Sequence, residues 1–120
     1  MSFGEAVSTV LTKKYATFSG RARRSEYWFF YLFNVLVIVV LNAITAVTGA
    51  KAIAYLEYLY LLAVLIPGIA AGARRLHDTG RTGWWLLIGV IPVIGAIVLI
   101  VFLASDSQPQ TNSYGPPVKD

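Results

Sequence analysis

The chain has 120 residues, of which 57% are hydrophobic and only 13% charged, with a mean hydropathy of +0.64. A soluble domain usually carries about 25% charged residues, so part of the solvent of this chain is lipid. The formal charge of +4 suits nucleic acid or an anionic membrane surface, and basic residues flanking apolar runs favour the membrane over nucleic acid; the absence of cysteine excludes disulfides, thiolate metal sites and cysteine nucleophiles.

Residues 2–17 come first. Phe3, Val7, Val10, Leu11, Lys14 and Phe18 recur at helical spacing, and Glu5, Ser8, Thr9, Thr12 and Lys13 fall mostly on the other side. Ser2 and Glu5 have the spacing of a capping box. The pattern predicts a short amphipathic helix lying in the membrane interface, with a cap packed on the rest of the protein as the alternative. The stretch TFSG at 17–20 ends it. Arg21, Arg23 and Arg24 follow, then Ser25 as a candidate N-cap and Glu26 in the next first turn, where a carboxylate suits the helix dipole.

Residues 27–47 carry no charge, and 21 residues of helix span about 32 Å, against a hydrocarbon core of about 30 Å. Tyr27 and Trp28 mark the headgroup level. Tyr31, Asn34, Asn42 and Thr45 lie near one face. An amide in hydrocarbon needs a partner, so this face is expected to meet another helix; a polar path for an ion is the sharper alternative. Cleavage as a signal peptide does not fit a run this long with two more behind it.

Residues 49–51 form a tight turn into the second apolar run, 52–73. Its uncharged part, 58–73, covers only about 24 Å, so the tyrosine-rich start around Glu57 belongs to the span. Pro67 is expected to kink it. Gly68 and Gly72 make a GxxxG among alanines, a strip that lets a helix come close, within the monomer or in a homo-oligomer.

The loop at 74–83 follows, with Asp78-Thr79-Gly80 as a turn. Residues 84–103 form a third uncharged run of about 30 Å, with Pro92 and Gly95 near its middle. Two readings fit, a kinked spanning helix and a re-entrant hairpin turning at 92–95 whose arms are too short to cross. Residues 105–120 read as a flexible, exposed tail. The predicted fold is thus an all-α membrane protein of one domain, with an interfacial helix and three transmembrane helices. With the N-terminus inside, eight basic residues fall inside and Lys51 and Lys119 outside. The tail is then outside unless the third run is re-entrant.

Two stretches carry a resemblance: GRARRSEYWFFYLFNV at 20–35 and ARRLHDTGRTGWWLLIGVIPVIG at 73–95. They resemble the bacterial inner-membrane family called domain of unknown function 805, of the YhaH and YhaI type. Asn112, Tyr114, Gly115 and Pro116 resemble its asparagine-x-tyrosine-glycine-proline tail, whereas SQPQT at 107–111 stands where the family usually has a glycine-bearing segment. The resemblance implies a small, multi-pass bacterial inner-membrane protein. It implies no activity.

If both basic stretches are cytoplasmic, Arg21, Arg23, Arg24, Arg74, Arg75 and Arg81 share one surface, with Glu26 and Asp78 placed to orient them. Such a cluster can hold an anionic lipid headgroup or contact a membrane-protein partner, or it can merely fix topology. His77 and Asp78 are adjacent and point about 100° apart on a helix, which makes no obvious dyad. One histidine without cysteine cannot build an ordinary zinc site, and no GxSxG elbow is present. No catalytic residue, metal or cofactor is expected. Two functional classes stay open: a membrane interaction or regulatory module, and an oligomeric transporter or channel lined by Asn34, Asn42 and Thr45.

Overall fold

The computed structural model describes residues 1–118. Their regular structure is helical, apart from one isolated bridge between Asn112 and Gly115. Helix α1, Phe3–Ser8, starts on the capping box: Ser2 Oγ accepts from the Glu5 amide at 3.2 Å and donates to the Glu5 carboxylate at 3.0 Å. It widens into a π-helical turn, Thr9–Lys13. The helix expected over 2–17 therefore ends at Lys13. Its apolar stripe packs on protein, with Ala6 and Val10 fully buried and the Phe3 ring against Phe29 and Phe33.

Helix α2 is Arg24–Thr48 and helix α3 is Lys51–Asp78, and both are long and apolar enough to cross a membrane. Arg23, not Ser25, is the N-cap of α2, and no side chain caps it; Glu26 does stand in the first turn. Gly49 closes the helix at φ 66°, a left-handed conformation that costs glycine little and lets α3 fold straight back. At 28 residues α3 is about 42 Å long, so its last turns lie beyond a hydrocarbon core of about 30 Å.

Pro67 sits inside α3 without ending it. A proline has no amide hydrogen, so the carbonyl of Ala63 loses its helical donor. The Tyr15 hydroxyl supplies one instead, donating to Ala63 O from the N-terminal segment. The amides of α2 are also satisfied, partly across the helix pair. Asn34 Nδ2 donates to Phe30 O at 2.8 Å and its Oδ1 accepts from Tyr60 at 2.6 Å. Asn42 Nδ2 donates to Ile38 O at 3.0 Å and to Glu57 at 3.2 Å.

The third apolar run is not one helix. It divides into a 3-10 helix, Gly83–Val90, and helix α4, Ile94–Ala104. Each is about 16 Å long, half of a crossing. Between them Val93 holds φ 64° and ψ −64°, and the Ile94 amide donates to Pro92 O at 2.7 Å: a tight γ-turn at the proline. The two arms lie side by side because Gly95 has no Cβ, which would collide with the Ile88 carbonyl. At the open end Trp85 meets Phe102 edge to face at 5.3 Å, and the Arg81 guanidinium lies 4.0 Å over the Phe102 ring. The run is thus a hairpin that returns to the end of α3 from which it left, and the tail follows it to that same end.

Few side chains are buried among the spans. Val10, Phe30 and Ala71 form a small core where the N-terminal segment, α2 and α3 meet, with Tyr27, Leu11 and Val64 around it. Val39, Val40, Val47, Leu59 and Leu62 face outward. In water such a continuous apolar surface would be a liability; in lipid it is the expected exterior.

Candidate functional site

The polar end of α3 gathers the residues that the sequence singles out. Arg74, Arg75 and Asp78 fall in its last turns, Arg21 and Glu26 reach them from the stretch before and into α2, and all five are buried. Arg21 Nε donates to Asp78 Oδ1 at 2.8 Å, and its terminal nitrogens donate to the carbonyls of Gln108 at 2.6 Å, Gln110 at 2.9 Å and Gly115 at 3.2 Å. Arg75 Nη1 donates to Asp78 Oδ2 at 2.6 Å and to Ala22 O at 3.2 Å. Ser107 Oγ donates to the same Asp78 carboxylate. Asp78 is thus the shared anion of two guanidiniums and a hydroxyl.

Arg75 has a second task. Its Nε donates to Leu103 O at 2.8 Å and its Nη2 to Ser105 O. These carbonyls end α4, where a helix leaves its acceptors unpaired and a cation suits the dipole. Trp28 Nε1 donates to Leu103 O as well, at 3.2 Å. Arg74 pairs with Glu26 and donates from Nε to Thr17 O at 2.9 Å; its Nη2 is buried with no hydrogen-bond partner. Three guanidiniums face two carboxylates here, and main-chain carbonyl dipoles supply the rest of the negative potential.

The other three arginines are less buried. Arg24 is exposed and pairs with Asp106 at 2.9 Å on the surface. Arg23 and Arg81 are half-buried, Arg81 on its phenylalanine. The cluster expected at one surface therefore divides into a buried triplet and an outer set.

His77 joins neither carboxylate. Its Nδ1 lies 2.9 Å from Gly20 O, and its ring stacks parallel on Tyr114 with centroids 4.0 Å apart. The tail is held at this point. Asn112 donates to His77 O at 3.0 Å, accepts from the Tyr114 amide at 2.8 Å, and shares the bridge with Gly115. The Gln108 amide donates to Asp78 O at 2.9 Å. Residues 105–115 are thus held against the end of α3, and Lys119 and Asp120 lie outside the described residues. Asp106, Ser107 and Gln108 carried no signal in the sequence; the Asn-x-Tyr-Gly-Pro pattern did, but its target is visible only in the fold. Asp78-Thr79-Gly80 makes the expected turn, with Gly80 at φ 82°.

Within one copy of the chain, Gly68 and Gly72 do not share a contact. A Cβ on Gly72 would sit 3.1 Å from Leu86 of the 3-10 helix, whereas Gly68 has nothing within 4 Å. Of the two, only Gly72 lets the hairpin approach α3 closely. No group of histidine, aspartate and glutamate among the described residues is arranged to hold a metal ion.

Comparison with known proteins agrees with the membrane character of this surface. Inner membrane protein YhaI of Escherichia coli (strain K12) is 47% identical over 103 residues, 86% of each chain. Inner membrane protein YhaH of the same strain is 41% identical over 110 residues, 89% of this chain and 91% of the relative. No solved structure matches. The family described as "Protein of unknown function (DUF805)" matches residues 15–116, from the tyrosine that serves Ala63 to the proline that follows Gly115. With its apolar helices, its buried arginines and its Asn-x-Tyr-Gly-Pro tail all inside that match, the chain is a membrane protein and belongs to the DUF805 family.

Proposed function

We propose that this protein is a small inner-membrane interaction module whose cytoplasmic end offers a basic rim to anionic lipid headgroups. In this reading α2 and α3 cross the bilayer as a hairpin, and the 3-10 helix and α4 re-enter from the cytoplasmic side. Both termini are then cytoplasmic. The connection between α2 and α3 carries Lys51 alone, whereas Lys13, Lys14 and six arginines lie on the other side, in keeping with the cytoplasmic excess of basic residues.

The division of the arginines carries the proposal. Arg21, Arg74 and Arg75 are committed to carboxylates and carbonyls and hold the end of the bundle rigid. Around it stand Arg24, which is exposed, and Arg23 and Arg81, which are half-buried and still reach solvent. Near an anionic leaflet each such residue is worth about 1 kcal/mol. A transporter or channel reading has less support. Asn34, Asn42 and Thr45 direct their donors to main chain or to the partner helix, which is packing rather than a lined path.

The test is retention of cardiolipin through purification, read by native mass spectrometry. Replacing Arg23, Arg24 and Arg81 together by Gln should lower retention and its salt dependence, while replacement by Lys should preserve both. Undiminished retention in the Gln protein, with its topology intact, would refute the proposal.

A further inference from the structure

A cavity of about 370 Å³ lies between α3 and the 3-10 helix, on the side away from the Asp78 network. Its long wall is Ile69, Ala73 and His77, which recur every four residues and so share one face of α3. Eight residues of helix place His77 about 12 Å from Ile69 along the axis. The wall is graded: apolar toward the middle of the bilayer, polar at the level of the buried arginines. Leu87, Trp84 and Phe18 complete the rim, and all three are exposed. In a membrane protein an exposed apolar rim opens to lipid, so a ligand enters sideways from the bilayer.

The polar end presents one defined group. Gly20 O can only accept, so His77 Nδ1 carries the hydrogen in that 2.9 Å contact. In the tautomer with its one hydrogen on Nδ1, the ring has a lone pair on Nε2. Stacking on Tyr114 fixes the plane of the ring. Nε2 lies on the side of Gly83, 3.7 Å from where a Cβ on that glycine would stand, and both residues line the cavity. Thr82, whose hydroxyl can donate or accept, lines the same end. Among the described residues, no acidic or basic side chain other than the histidine lines it. A fixed acceptor at one end of an apolar trough, open to the bilayer and without a charged wall, selects an uncharged hydroxyl donor on an acyl chain.

From this arrangement we infer that the cavity binds one uncharged acylglycerol lipid, whose free glycerol hydroxyl donates to His77 Nε2 while its chain lies along Ala73 and Ile69. Charge plays no part in this contact, so it stands or falls apart from the basic rim. The glycerol hydroxyl matters because a buried acceptor left without a donor costs binding, and an ester without a hydroxyl cannot supply one.

The experiment uses the whole protein in detergent and two uncharged probes of the same chain length, a monoacylglycerol and a fatty-acid methyl ester. Native mass spectrometry should show a saturable one-to-one adduct with the monoacylglycerol, about fivefold stronger than with the ester, the worth of one net hydrogen bond. Ile69→Trp fills the apolar half without touching the histidine and should abolish the adduct. His77→Phe keeps a ring to stack on Tyr114 but removes the acceptor, and should bring monoacylglycerol down to the level of the ester. Thermal melting of each variant without lipid shows that it is folded. Equal binding of the two probes, an unchanged adduct in Ile69→Trp, or no adduct with the wild type would each overturn the inference. Loss of cardiolipin from the rim variant, by contrast, should leave the monoacylglycerol adduct intact.

Discussion

Arg21 and Asp78 are 57 residues apart in sequence and 2.8 Å apart at their charged atoms, and neither side chain is exposed. One contact thereby joins the stretch before α2 to the end of α3. Because Arg21 also holds the carbonyls of Gln108, Gln110 and Gly115, it joins the tail to both. Taking a charge out of water is costly, and it is tolerated here because each guanidinium meets either a carboxylate or aligned carbonyls.

Removing the shared carboxylate should therefore be severe. Asp78→Asn leaves Arg21 and Arg75 buried with half their compensation gone, and a broken buried pair costs about 3–5 kcal/mol. Asp106→Asn removes the exposed charge partner of Arg24 and keeps an oxygen for the Ser107 amide, and an exposed pair is worth about 0–1 kcal/mol. Melting temperatures in detergent should separate the two variants widely. Similar melting would show that the buried network is not what secures the bundle.

The path of the third run can be read from the tail. The chain contains no cysteine, so single cysteines at Ser19, Ala50 and Thr111 report each side without background. Ser19 and Thr111 should be shielded from an impermeant reagent outside intact cells, and Ala50 should be labelled. A third spanning helix would instead expose Thr111 to the reagent.

The glycines rank themselves by what a side chain would meet. Gly95→Ala drives a methyl into the Ile88 carbonyl, and Gly72→Ile presses on Leu86; each should cost about 1–3 kcal/mol, the range for overpacking. Gly68→Ile faces open space and should leave the monomer's stability nearly unchanged. If it alters the oligomeric state instead, a second copy sits on that face.

Tyr15 and Pro67 should be coupled. Tyr15→Phe removes the donor to Ala63 O and should cost about 0.5–1.5 kcal/mol. In a Pro67→Ala background the restored amide serves that carbonyl within the helix, so the same change should cost less. A double-mutant cycle on thermal stability measures the difference, and a coupling of zero would assign the tyrosine to packing alone.

Much of the fold was legible because lipid and helix geometry act locally. Uncharged runs of the right length, Gly49 at the turn and the Ser2–Glu5 spacing dictate α2, the helix hairpin and the start of α1 from neighbours a few residues away. The pairing of the α2 amides also follows from the sequence in kind, since an amide in hydrocarbon must find an acceptor. The identity of those acceptors, Tyr60 and Glu57 among them, does not.

What the tertiary structure alone decided is where charge is buried and where the chain turns back. Residues 84–103 have the composition of a span, and Pro92 and Gly95 allow a kink or a reversal alike. The choice depends on Gly95 fitting against Ile88 and on Arg75 reaching the carbonyl end of α4, contacts between distant residues. The six arginines look equivalent in sequence because a guanidinium carries the same charge everywhere. Only packing shows that Arg21, Arg74 and Arg75 face inward onto Asp78, Glu26 and bare carbonyls, while Arg23, Arg24 and Arg81 still reach solvent. Burial of a charge is a property of everything that surrounds it, and that is assembled from three separate stretches of this chain.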